Sequence, residues 1–251
     1  MTNPPRPILI IGGTRGTGLL IATLLQQRGH AVRVLARNPG KARDNLPHPI
    51  EVVPGDLTIP GTLQPALERI GHLILTAGRR SGRFATERQI RATEYEGTRN
   101  VLAAARATGF AGRFLYMNAS GVTSQSLSAR LLNLWKGNTL RWRCRGEAAI
   151  RSSGLDYTII RAGVLLNRPA GTRSLVVTQR PLPLSLRYRV ARSDMAEGFV
   201  AALTSARLSR ATIEVIWGSG TDRVPWEQLF DPVRPDSDPE VAASGLTGPC
   251  R

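Results

Sequence analysis

Ile8-Leu9-Ile10-Ile11-Gly12-Gly13-Thr14-Arg15-Gly16-Thr17-Gly18-Leu19 joins an apolar run to a glycine cluster that opens a second apolar-periodic segment. The order reads as strand, tight turn, helix. Glycines at such a turn allow positive φ and let a pyrophosphate approach the main chain, while the N–H groups and the dipole of the following helix face the anion. The implied ligand is a nucleotide; the plain alternative is a tight strand–helix connection that binds nothing. One helix length later, Gly29-His30-Ala31-Val32-Arg33-Val34-Leu35-Ala36-Arg37 alternates branched residues as a second parallel strand of a βαβ unit would. In the usual dinucleotide fingerprint an acidic residue near the end of this strand binds the ribose 2′-hydroxyl. Arg37 stands there instead. A guanidinium binds a 2′-phosphate bidentately, and Arg15 in the glycine loop is placed to close on the same group. The expected cofactor is NADP(H) in preference to NAD(H), the alternative for Arg37 being a solvated residue at a strand end.

The glycine spacing, G-x-x-x-G-x-G at Gly12, Gly16 and Gly18, is followed by further segments in a recognisable order. Gly55-Asp56-Leu57 suits the turn after a third strand, and His72-Leu73-Ile74-Leu75-Thr76-Ala77-Gly78 a fourth strand with its cofactor-facing loop. A long helix at Glu94-Tyr95-Glu96-Gly97-Thr98-Arg99-Asn100-Val101-Leu102 and a fifth strand at Arg113-Phe114-Leu115-Tyr116-Met117-Asn118-Ala119-Ser120 come next. Ser153-Gly154-Leu155-Asp156-Tyr157-Thr158-Ile159-Ile160-Arg161 and Ala191-Arg192-Ser193-Asp194-Met195-Ala196 complete the series. Together, over residues 6–217, these resemble the short-chain dehydrogenase/reductase superfamily, in its atypical branch of NmrA-like and other NAD(P)H-binding proteins. The resemblance implies an α/β, Rossmann-like, doubly wound parallel sheet with a small C-terminal substrate cap. It also implies a cofactor site built from Gly12, Gly13, Thr14, Arg15, Gly16, Thr17, Gly18, Arg37, Asp56, Leu57, Thr76, Ala77, Gly78 and Asn118, with the Asp56 side chain and the next N–H meeting the adenine.

At 251 residues and 41% hydrophobic the chain is long enough for one sizeable core. Residues 1–230 read as a single NAD(P)-binding domain, with the cap at about 162–230. Residues 231–251, with Pro232, Pro235, Pro239 and Pro249 among Asp, Ser and Gly, read as a disordered tail. Within the cap a helix capped by Ser193 is expected, with Asp194 in its first turn. No apolar run is long enough to span a membrane and the opening residues lack the apolar stretch of a signal peptide, so a soluble cytoplasmic protein is expected. Cys144 and Cys250 are the only cysteines, one in an expected helix and one beside the C-terminus, which argues against a disulfide framework. His30, His48 and His72 are scattered without metal-ligand spacing, and no metal is expected.

The formal net charge is +16. Only Lys41 and Lys136 are lysines, so the excess is arginine spread over every segment, a pattern of composition bias more than of a nucleic-acid stripe. No specific nucleic-acid partner is expected. The clusters Arg141-Trp142-Arg143-Cys144-Arg145 and Arg187-Tyr188-Arg189 suit either a solvated face or an anionic substrate. The apolar residues Leu131, Leu132, Leu134 and Trp135 suit core, a substrate pocket or a partner surface, leaving room for a homodimer or a protein partner.

Classical members of the superfamily use a helical Tyr-x-x-x-Lys, in which the lysine lowers the tyrosine pKa for proton transfer. That motif is missing. In the corresponding places stand Thr139, far too weak an acid, and Arg143, which keeps the positive charge but cannot relay a proton. Ser120 holds the place of the strand-end serine that orients a substrate carbonyl, the alternative being a turn residue. Ser120 and Arg143 are the catalytic candidates. The expectation is an NADP(H)-dependent reductase passing hydride to a small-molecule flavin, quinone or carbonyl acceptor. The alternative is a non-catalytic NADP(H)-binding redox sensor or a regulatory or assembly partner.

Overall fold

In the computed structural model, residues 5–78, 86–124, 132–134 and 137–250 are described. Strand β1 (Ile8–Ile11) is buried along its whole length, which is why it carries four branched apolar residues without alternation: both of its faces are covered by helices. β1 lies parallel to β2 (Val32–Ala36) on one side and to β4 (His72–Leu75) on the other, with Ile8 opposite both Val32 and His72. β3 (Glu51–Pro54) extends the first edge. On the other side follow β5 (Arg113–Ala119), β6 (Asp156–Ala162), β10 (Ala211–Trp217) and the antiparallel β8 (Leu175–Thr178), giving the order β3-β2-β1-β4-β5-β6-β10-β8. A separate parallel pair, β7 (Val164–Leu166) with β9 (Arg189–Ala191), belongs to the small cap.

Helix α1 (Gly16–Gln27) turns Ile21, Ala22 and Leu25 onto one face of the sheet, where α7 (Arg192–Ala202) packs beside it. The short helices α2 (Pro39–Arg43) and α3 (Gln64–Leu67) flank β3. The opposite face carries α3, α5 (Gly97–Ala107) and α6 (Thr139–Arg151). A short α4 (Glu87–Arg91) runs into α5 through a π-helical turn, Ala92–Glu96. The chain winds from β1 outward to β3, then returns to β4 on the other side of β1. A crevice therefore opens at the carboxyl ends of β1 and β4, where doubly wound sheets bind their ligands.

Three expectations need correction. The segment after residue 230 is packed, not disordered: α8 (Trp226–Phe230) leads into it, α9 (Pro239–Ala243) lies within it, and Val233, Val241 and Leu246 are buried. Those three apolar side chains anchor what composition read as a polar, proline-rich tail. Cys144 and Cys250 are joined in a disulfide across 106 residues of sequence, because the anchored tail returns to α6. Finally, Ser193 does not cap α7. That helix starts at Arg192, and the Ser193 hydroxyl donates to the Arg168 carbonyl. Asp194, fully buried in the first turn, accepts from Gly171 N, Trp217 Nε1 and Arg223. Leu132 packs beside Val122, Leu140 and Cys144, Leu134 is exposed, and Leu131 and Trp135 lie outside the described residues. No helix among the described residues is long and apolar enough to cross a membrane.

Candidate functional site

The crevice is made by close backbone approach. Gly12 has φ +97°, and a Cβ there would stand 2.5 Å from Ala77 N and 2.9 Å from the Thr76 carbonyl carbon. Gly18 is tighter still, its Cβ falling 2.2 Å from Gly12 O. Any side chain at either place would push the β1 loop away from the β4 loop. The two loops are tied by Thr76 N and Ala77 N, which both donate to Ile11 O at 2.9 and 3.1 Å. Gly16, at φ +58°, has nothing within 4 Å of where a Cβ would be, so that side of the turn is open.

The first turn of α1 has no side-chain cap from Arg15 and no acidic residue, and the buried Thr17 hydroxyl has no hydrogen-bond partner. Uncapped N–H groups at a helix N-terminus, beside a backbone cradle that tolerates no Cβ, fit a pyrophosphate. Gly13 is buried against Val34 and Ile10, and Thr14 is half-buried in the loop. Arg15 and Arg37 are exposed, the latter immediately beyond β2, and neither makes an ion pair among the described residues.

Asp56 sits in the turn after β3. Its Oδ1 accepts from Thr58 N and Thr58 Oγ1, both at 2.8 Å, which fixes the loop and commits that oxygen. The Leu57 carbonyl accepts from Asn100 Nδ2 of α5 at 3.1 Å. Beyond β4, a Cβ on Gly78 would meet Arg143 Nη2 at 2.9 Å and Glu94 Oε1 at 3.4 Å. Arg143 of α6 is thus against the β4 loop, as its expected role requires, and it donates to Glu94 at 3.1 Å. The Glu94 carboxylate holds the Arg143 pKa above its ordinary value, against the effect of burial, so Arg143 is a permanent cation. Glu94 comes from the π-helical turn, a local irregularity that recurs at functional sites. The sequence reading gave Glu94 no role, because no spacing rule links it to a residue 49 positions on. Arg79, Arg80 and Arg83, which follow Gly78 in the sequence, lie outside the described residues.

The carboxyl ends of the next strands carry a polar row. Asn118 of β5 is in register with Arg161 of β6, which is in register with Glu214 of β10. In-register neighbours share a sheet face, and this face is the one that α6 covers. Glu147 of α6 sits over the row. It accepts from Arg161 Nη2 at 2.7 Å, Arg161 Nε at 2.9 Å, Asn118 Nδ2 at 2.7 Å and Arg151 Nη2 at 2.8 Å. Arg161 and Glu147 are completely buried. Burial alone would raise the Glu147 pKa, but Arg161 and then Arg151 outweigh it and bring it down to about 2. Asn118, expected at the cofactor, is instead committed here, with its Oδ1 accepting from Ala119 N.

Ser120 follows at the end of β5. Its N–H donates to Ala162 O at 2.9 Å, and its buried hydroxyl stands against the Glu214 carboxyl without a hydrogen bond of ordinary geometry. Tyr116 and Tyr157 are both buried, and desolvation pushes each phenol well above its usual pKa. Thr139 is the first residue of α6. Beyond Ser120, a cavity of about 330 Å³ is lined by Thr123, Ser124, Leu182, Gly248 and Pro249 among others, so the C-terminal segment forms part of its wall.

The NAD(P)H-binding family model matches residues 12–206, from the glycine turn to beyond α7. The chain belongs to this NAD(P)H-binding family. It is 29% identical over 232 residues to sanguinarine reductase of Eschscholzia californica, covering 78% of this chain and 83% of that protein. It is also 29% identical over 154 residues to the photosystem II assembly factor Ycf39 of Trieres chinensis, covering 61% of this chain and 44% of that one. Among solved structures, ChuY, an anaerobillin reductase of Escherichia coli O157:H7, superposes with a TM-score of 0.70 over 85% of this chain and 98% of that chain, at 21% identity.

Proposed function

We propose that this family member is an NADPH-dependent reductase acting on a small organic acceptor such as a flavin, a quinone or a carbonyl compound. The observation that carries the reading is the crevice itself: a glycine cradle and an uncapped helix N-terminus, flanked by two exposed arginines, Arg15 and Arg37, without ion-pair partners among the described residues. Gly12, Gly13, Gly16 and Gly18 would hold the pyrophosphate, with Thr14 and Thr17 beside it. Arg15 and Arg37 would take the 2′-phosphate that distinguishes NADPH from NADH. Asp56 and Leu57 would border the adenine. Thr76, Ala77 and Gly78 would line the path toward the nicotinamide, where Glu94 holds the Arg143 guanidinium in place. Bound NADPH supplies the hydride. The protein then has to position the acceptor and keep bulk water out, tasks that do not need a tyrosine. Likeness to sanguinarine reductase over most of both chains supports a reductase.

The absence of the tyrosine, and likeness to an assembly factor, favour a second reading: a protein that binds NADP(H) and signals its level to a partner. NADPH oxidation assayed against flavin, quinone and carbonyl panels separates the two. Turnover with at least one class, lost in Arg143→Ala, is expected of the reductase. Tight NADPH binding without turnover of any acceptor belongs to the sensor.

A further inference from the structure

The polar row holds one carboxyl more than its guanidiniums can balance. Arg161 and Arg151 supply two positive charges, and Glu147 and Asp236 answer them, Asp236 accepting from Arg151 Nε at 3.2 Å. Glu214 is the third carboxyl, completely buried. Its Oε1 accepts from Arg161 Nη1 at 3.3 Å and from Leu182 N at 3.4 Å, both long contacts for a charged acceptor. Its Oε2 has no hydrogen bond of ordinary geometry, and neither has the Ser120 hydroxyl, which stands against the same carboxyl. Two buried polar atoms without well-formed hydrogen bonds are each costly. One proton on Oε2, donated to Ser120 Oγ, satisfies both and makes the cluster neutral.

We propose that Glu214 is a protonated carboxylic acid that donates to Ser120, and that the pair takes over proton delivery from the missing tyrosine. This rests on the reductase reading for its second half only. As hydride adds to the acceptor, the Ser120 O–H bond breaks and its proton passes to the acceptor's developing anionic atom. The Glu214 proton moves to Ser120 Oγ, and the carboxylate left behind is held by Arg161. Water in the adjoining cavity, whose wall includes Thr123 and Leu182, returns a proton to Glu214. Thr123 and Leu182 both touch the cluster, through Arg161 Nη1 and Glu214 Oε1 respectively. Burial raises the Glu214 pKa, and Arg161, Ser120 and the Leu182 N–H offset only part of that rise. Ser120 is then the catalytic residue, and Glu214 acts through it.

The test needs two readouts. Infrared difference spectra of the protein without cofactor, wild type minus Glu214→Gln at neutral pH, should contain the C=O stretch of a protonated carboxyl; its absence overturns the proposal. Ser120→Ala should shift that band upward in frequency, because the acid loses its acceptor, and an unmoved band overturns the pairing even if Glu214→Gln folds poorly. With an acceptor that turns over, wild-type kcat should fall as pH rises through the Glu214 pKa. Glu214→Gln should lose that limb and run roughly 100-fold slower. An unchanged pH profile, or no turnover of any acceptor, overturns proton delivery; in the latter case a persisting infrared band marks the failure as that of the reductase reading and leaves Glu214 protonated.

Discussion

Replacing Glu147 by glutamine keeps its shape and removes the charge between two guanidiniums, Arg161 and Arg151. The cost can be worked in two ways. The fall of the Glu147 pKa from 4.5 to about 2 in the folded protein corresponds to about 3 kcal/mol of stability at neutral pH. Independently, removing one partner of a buried ion pair, so that the other is left without a counter-charge, costs roughly 3–5 kcal/mol. The two agree, and both are large against the roughly 5–15 kcal/mol by which a domain is stable. The depressed pKa also fixes the direction with pH: the contribution is fully present above the unfolded value of 4.5 and is lost as pH falls toward about 2. Urea unfolding at pH 7 should therefore lose about 3–5 kcal/mol in Glu147→Gln, and the gap to wild type should narrow progressively as pH falls from 4.5 toward about 2. A loss under about 1 kcal/mol at pH 7, or a gap that does not change with pH, would refute the reasoning.

Two further perturbations act on other parts of the fold. Reducing the Cys144–Cys250 bond opens a loop of 106 residues and should lower stability by up to about 5 kcal/mol on chain-entropy grounds. The urea midpoint of Cys250→Ser should then match that of the dithiothreitol-treated wild type, and a midpoint equal to the oxidised protein would contradict the link. Gly12→Ala places a methyl 2.5 Å from Ala77 N at a φ of +97° and should weaken NADPH binding about 100-fold or more while the sheet survives by circular dichroism; unimpaired binding would place the pyrophosphate elsewhere.

The turn at Gly12–Gly18 and the strands around it were legible because their signals are local: glycine spacing, branched runs and period. The polar row was not. The stretch 153–161 was recognised by its place in the series, yet nothing in it says that the Arg161 guanidinium is completely buried or that Glu147 and Glu214 converge on it. The tail misled for a related reason. Val233, Val241 and Leu246 are few among prolines and acids, but the Leu246 carbonyl accepts from Arg161 Nη2 at 2.8 Å, and Asp236 takes Tyr157 Oη and Thr212 Oγ1. Such long-range polar anchoring leaves no trace in composition, and the disulfide followed from it. Asn118 was expected at the cofactor from the resemblance, but its Oδ1 accepts from Ala119 N and its amide donates to Glu147 of α6, a contact across 29 residues that no local signal announces.

The cofactor claim is tested most directly by calorimetric titration with NADPH and with NADH, on the wild type and on Arg37→Ala. The account predicts tighter binding of NADPH by about 10- to 100-fold, the size of one charge-assisted contact, with the preference removed in Arg37→Ala. Equal affinity for the two nucleotides in the wild type would contradict it.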